Sequence, residues 1–185
     1  MPRWDDLSQW LKVQLVPMVI RDEFLTFNIR VHPDLERRWV SEGRDTRTQM
    51  RNRIRVELDA ALGKGREFFF VIEGWSRFTR ASTYLHVHGG AAIRDLGDDL
   101  KIEVAVGRAA GHGLKGFSYV PRAIHSDLFK VEQAAYANYL FKAVRKPDGR
   151  LGERRLSMSH SLTGICRSFW ETITREVHEW REPLV

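Results

Sequence analysis

Residues Glu67 to Gly74 read Glu-Phe-Phe-Phe-Val-Ile-Glu-Gly, a strongly apolar run of strand-forming residues. A polar stretch, Trp75 to Ser82, follows and carries Arg77 and Arg80. Then comes Thr83-Tyr84-Leu85-His86-Val87-His88-Gly89-Gly90. The two runs are close enough in sequence to pair antiparallel, and this commits the middle of the chain to sheet. Side chains two apart on a strand share a face, so His86 and His88 point one way and Leu85 and Val87 the other. Two imidazoles side by side suit a metal better than a core, although ordinary polar strand residues would show the same spacing.

The flanking segments supply the rest of an α+β domain. Leu7, Trp10 and Leu11 have helical spacing, with Pro17 ending or interrupting that helix. Residues 23 to 31 read as a strand closed by His32-Pro33. Residues 34 to 62 read as helix with a polar break near Ser41-Glu42-Gly43; Met50, Ile54, Leu58, Ala61 and Leu62 mark the buried side of the second half. Gly89-Gly90 is expected to bend the chain, and 91 to 99 to form a turn or short helix. Leu100 to Val106 alternates and is expected to be a strand, as is Phe117 to Val120, with a glycine-rich loop between them. A helix is expected over 126 to 145 with Ser126 as its cap, and a packing helix from Leu162 through Ile165, Phe169, Ile173 and Val177.

At 185 residues and 43% hydrophobic content the chain is expected to be one domain with a real core. There is no apolar run long enough to span a bilayer, and Met-Pro-Arg-Trp-Asp-Asp is not a signal peptide, so a cytoplasmic location is expected. A lone cysteine, Cys166, excludes an internal disulfide framework and a cysteine-rich zinc site. A net charge of +6, mostly from arginine, favours a polyanionic partner. Arg47, Arg51 and Arg55 on the second helix, Arg77 and Arg80 in the hairpin loop, and the basic turn Arg145-Lys146 are the candidate DNA contacts, with a solvated helix face as the plain alternative.

Glu73 reaches the histidine face if the two strands pair. Two imidazoles and one carboxylate leave coordination positions open on a divalent ion, which suits Mg²⁺ or Mn²⁺ polarising a phosphodiester. Zinc is the lesser choice, because a structural zinc site wants four protein ligands and only His112 and His125 stand as candidates for a fourth. Tyr139 and Lys142 lie one helical turn apart, and Tyr136 one turn earlier. A cation beside the phenol favours phenolate and neutralises charge at a transferring phosphate.

Leu-His-Val-His-Gly-Gly resembles the histidine-hydrophobic-histidine motif of the HUH endonucleases. Tyr139-Leu140-Phe141-Lys142 is similar to their motif of a tyrosine followed three residues later by lysine. Phe24 to Ile29 sits where their first-strand motif would, and Glu73 where replication initiators of that superfamily often carry an acidic metal ligand. The resemblance covers roughly residues 20 to 147. It implies a central antiparallel sheet of about five strands flanked by helices, a fold related to the ferredoxin-like and RRM-like folds. It also implies an endonuclease and strand transferase. In that reading Tyr139 is the nucleophile on single-stranded or hairpin origin DNA, Tyr136 a second phenol, and the metal ligands Glu73, His86 and His88. The chain has no phosphate-binding loop and is too short for a helicase domain as well, so a separate helicase and a host polymerase are the implied partners. Residues 151 to 185 lie outside the motifs and are open to completing the fold, a homodimer contact or origin binding. A transposase or mobilisation relaxase of the same superfamily, a non-catalytic nucleic-acid-binding domain, and a protein with purely structural histidines are the alternatives.

Overall fold

The computed structural model describes residues 1–20, 24–76, 81–115, 124–129, 133–142, 146 and 148–179. For 75, 76, 81–83, 124–129, 133–136 and 179 it describes the backbone alone. After a turn of 3₁₀ helix at Trp4–Asp6 the elements are α1 (Gln9–Val19), β1 (Phe24–Arg30), α2 (Pro33–Ser41), α3 (Thr46–Leu62), β2 (Phe68–Ser76) and β3 (Ala81–Ala92). They continue with α4 (Asp98–Ala109), β4 (Ile124–Phe129), α5 (Gln133–Leu140), β5 (Leu156–Met158) and α6 (His160–Glu179).

The strands form one five-stranded sheet in the order β4-β1-β3-β2-β5, antiparallel at each pairing. The first four strands, with helices after β1 and β3, have the βαββαβ order of a ferredoxin-like arrangement. β5 adds a short edge beside β2.

The Phe68–Ile72 run is apolar throughout because helices cover both faces of the sheet. Phe68, Phe70 and Ile72 join Leu25, Phe27, Ile29, Leu85 and Val87 against α2, α3 and α4. Phe69 and Val71 join Phe24 and Ala92 against α1, α5 and α6. The second face is apolar at one end only. Toward the other end of β2 and β3, the same period-two positions become Glu73, His88 and His86. No helix among the described residues is long and apolar enough to cross a membrane.

Four expectations are corrected. Leu100 to Val106 is part of α4, not a strand. Its buried positions Ile102, Ala105, Val106 and Ala109 follow helical spacing, while Leu100 and Val104 are exposed. Asp98 and Asp99 in its first turn and Arg108 in its last suit the helix dipole. The helix expected over 126 to 145 is divided: residues 124 to 129 are edge strand β4, and α5 begins at Gln133, so Ser126 caps nothing. Gly89 and Gly90 do not bend the chain but lie inside β3. A Cβ on Gly89 would sit 2.2 Å from the Phe69 carbonyl oxygen, so only glycine lets β2 approach there. The strand expected at 117 to 120 lies outside the described residues. Pro17 is held within α1 rather than ending it.

Candidate functional site

β2 and β3 set the site by register. Glu73 is paired directly with His86, and Val71 with His88, so Glu73 and both imidazoles emerge on one face. The gap between Glu73 and His86 needs no large loop, because both strands run on to Ser76 and Ala81. A register shift between Glu73 and Trp75 marks a bulge beside the carboxylate. Gly74 sits in it, and a Cβ there would lie 2.1 Å from Asp148 Oδ2. Arg150 uses that space, donating from Nη2 to the Gly74 carbonyl at 3.0 Å and to Asp148 Oδ2 at 2.6 Å. Arg150 also donates to Glu36 Oε1 at 2.5 Å, while Glu36 Oε2 accepts from the Leu85 amide at 3.1 Å. The far end of the hairpin is thereby tied to α2.

α5 crosses the polar end of this face. Ala137 and Leu140 are buried in the core beneath it, and Trp10 Nε1 on α1 donates to Asn138 Oδ1 at 3.0 Å. That seating leaves Tyr139 at the rim, 46% exposed. Its ring meets His88 edge-on at 5.4 Å between centroids. Lys142, in the turn after α5, holds its ammonium 3.7 Å above the Tyr139 ring and 3.6 Å from Glu73 Oε1. His88 Nε2–H donates to the same carboxylate oxygen at 2.8 Å. Glu73, His88, Tyr139 and Lys142 therefore meet in one place.

The electrostatics favour an ionised carboxylate. Burial alone would raise the Glu73 pKa, but the hydrogen bond from His88 and the charges of His88, Lys142 and His86 outweigh it and hold the group below the usual range. The His86 pKa is lowered, by burial first and then by neighbouring His88, against a hydrogen bond to the Tyr84 backbone that opposes the shift.

Glu73 Oε1 and His88 Nε2 are 2.8 Å apart because a hydrogen bond joins them, so Nε2 is not posed as a metal ligand while it carries that proton. Glu73 Oε2 and His88 Nδ1 are buried with no hydrogen-bond partner among the described residues. His86 is not in the same posture. Its ring lies nearly parallel to His88 with centroids 6.4 Å apart. Among the described residues no three of His, Cys, Asp and Glu are grouped to hold a metal ion. His112 is not one of the cluster: it packs against His32 at 5.7 Å, and its Nε2 donates to the carbonyl of Arg30, the residue paired with His86. His125 enters by backbone register alone, paired with Asn28, which pairs in turn with His88.

The basic residues separate by position. Arg47 is partly buried and its Nη1 donates to the Leu156 carbonyl at 3.5 Å, a contact that ties α3 to the β5 edge. Arg51 and Arg55 are exposed and line a cleft between α3 and the start of α6. Lys146 is exposed; its carbonyl accepts from Arg155. Arg77, Arg80 and Arg145, and the side chain of Tyr136, lie outside the described residues.

Sequence reasoning gave no role to Tyr84 and Arg30. Tyr84 is 45% exposed, and the Arg30 guanidinium lies 4.5 Å from its ring centroid. The spacing 84, 86, 88 was the signal, since it puts Tyr84 on the histidine face.

Comparison with family models, curated proteins and solved structures finds no match for this chain.

Proposed function

We propose that the chain nicks and joins single-stranded DNA, with Tyr139 as the nucleophile. The observation that carries this is the meeting of a half-exposed phenol with an ammonium, an imidazole and an ionised carboxylate at the rim of the sheet. The phenol oxygen attacks phosphorus, forming the Tyr139–phosphate bond and breaking the bond to the 3′ oxygen. The phenolic proton is given up, and the departing 3′ oxygen takes one up. Attack by a later 3′ hydroxyl reverses the exchange and joins strands, so bond energy is conserved and no nucleotide is consumed. Lys142 is placed to offset charge on the phenolate and on the transferring phosphate.

Glu73 and His88 would hold a divalent cation, Mg²⁺ or Mn²⁺ ahead of zinc, and His86 would join them after its ring turns. Such an ion supplies polarisation of the phosphate oxygen when bound. Tyr84, with Arg30 against its ring, offers an unpaired base a stacking surface beside the site. The resemblance to HUH endonucleases and the ferredoxin-like strand order support origin nicking in rolling-circle replication, with a helicase and polymerase as separate partners. A transposase or mobilisation relaxase shares the same chemistry.

One observation favours a second reading, a nucleic-acid-binding domain without chemistry: Glu73 Oε1 is already engaged by both His88 and Lys142. The deciding experiment offers a library of labelled single-stranded and stem-loop DNAs to the protein with Mn²⁺. The proposal expects a discrete product with a free 3′ hydroxyl, absent from Tyr139→Phe. Binding without cleavage across the library supports the second reading.

A further inference from the structure

A cavity of about 930 Å³ opens between α3, the turn after it, and the first turn of α6. Arg51 and Arg55 come from α3, Lys64 from the turn, and His160, Ser161 and Thr163 from α6. Phe68 and Met158 give it an apolar floor. Among the described residues, Arg51, Arg55 and Lys64 form no ion pair, although carboxylates engage arginines elsewhere, as at Arg66–Asp98 and Arg108–Glu57. Asp59 is the one acidic side chain in the lining, and its Oδ1 accepts from the Gly65 amide. Arg51, Arg55 and Lys64, with Asp59 beside them and Asp45 acting on Arg51, leave an excess of positive charge on one concave surface, which favours a polyanion.

We infer that this cavity is a second nucleic-acid site, which holds the backbone of a single strand away from the Tyr139 cluster. Its concave form and apolar floor suit an unpaired strand that can bend its phosphates toward the walls, whereas a duplex is too stiff and wide to enter. The size, at the upper end of ordinary ligand pockets, exceeds what one phosphate fills. Glu73 lies five residues beyond Phe68 on β2, about 17 Å along the strand. At a stacked rise of about 3.4 Å per nucleotide, a strand must run on for roughly five nucleotides or more to reach from one site to the other. The inference borrows the single-stranded substrate of the proposed function, but binding alone tests it.

The experiment measures binding of poly-dT oligonucleotides of increasing length, in EDTA so that no cleavage occurs, by fluorescence anisotropy over a salt series. Wild type is compared with Arg51→Glu/Lys64→Glu and with Lys115→Glu/Arg154→Glu, which carries the same charge change at exposed positions elsewhere. All three are first matched for thermal unfolding. Affinity is expected to rise once the strand exceeds the roughly five nucleotides that separate the two sites, and the cavity variant to lose that rise by about tenfold or more. Its salt slope should fall by about 1.4, the value for two lost phosphate contacts on a single strand. The control pair should keep both. Equal loss in both variants, or no loss in either, overturns the inference. If the cavity variant fails as expected while no DNA is ever cleaved, the cavity stands and the nicking reading falls.

Discussion

At the residue scale, Glu73 decides how the site behaves. Its carboxylate is buried, ionised and shared by His88 and Lys142. That Glu73 and the histidines occupy one face was legible from period-two alternation and from the nearness of two strands in sequence. That His86 is turned parallel to His88 was not, because a rotamer answers to its surroundings, here the Tyr84 backbone on its own strand and the residues opposite it on β1 and β2. For the same reason the sequence did not show that Arg47 is partly buried and donates to the Leu156 carbonyl at the β5 edge. Tyr84 gives the sharpest residue-level prediction. If an unpaired base stacks on it, Tyr84→Ala weakens single-strand binding by about 1–3 kcal/mol and Tyr84→Phe keeps it. An oligonucleotide titration of both variants checks this, and equal behaviour of Ala and Phe would assign the Tyr84–Arg30 contact to the fold alone.

At the scale of elements, the helices α3 and α6 and the strands β1 and β3 were legible from periodic stretches, and β2 from a continuous run of apolar strand formers. α4 was misread because Leu100, Ile102, Val104 and Val106 alternate as a strand does. The helix buries Ile102 and Val106 and leaves Leu100 and Val104 in solvent, a choice made by the space between α3 and the sheet. β4 was misread because an alanine-rich helix follows it closely and its six residues carry little signal against that background. The inner position of β3, paired on both sides, explains its two glycines. Gly89→Ala drives a Cβ into the Phe69 carbonyl and should destabilise the fold by about 1–3 kcal/mol, read as a lowered Tm. An unchanged Tm would mean that β2 and β3 have room to separate there.

At the scale of the whole molecule, a sheet sandwiched by helices holds its polar cluster at one end of one face, where α5 closes only part of the cover. Acid stability belongs to this scale. Asp98 is buried at the start of α4 and its carboxylate pairs with Arg66 at 2.9 Å. Burial would raise its pKa, but amide hydrogen bonds from Arg94 and Asp95 and the charges of Arg66 and Lys101 lower it overall. The Asp148 pKa is likewise lowered: burial opposes the shift, and the hydrogen bonds and charge of Arg150 outweigh it. A carboxyl with a lowered folded pKa adds stability above its unfolded pKa, near 3.9 for aspartate, and that stability is lost as pH falls through the folded value. Denaturant unfolding should therefore show stability level near neutrality and falling below about pH 4. Asp98→Asn should cost about 3–5 kcal/mol at pH 7, by leaving Arg66 buried without its partner, and should flatten the acid slope. An unchanged slope would contradict the assignment.

The proposed nicking reaction requires that Tyr139 become covalently joined to DNA. The most direct measurement is mass spectrometry of the peptide recovered after Mn²⁺-dependent reaction with a cleavable single strand. The expected product is a nucleotide attached through its 5′ phosphate to Tyr139, lost in Tyr139→Phe while DNA binding persists. An adduct on Tyr136, or one that survives in Tyr139→Phe, would contradict it.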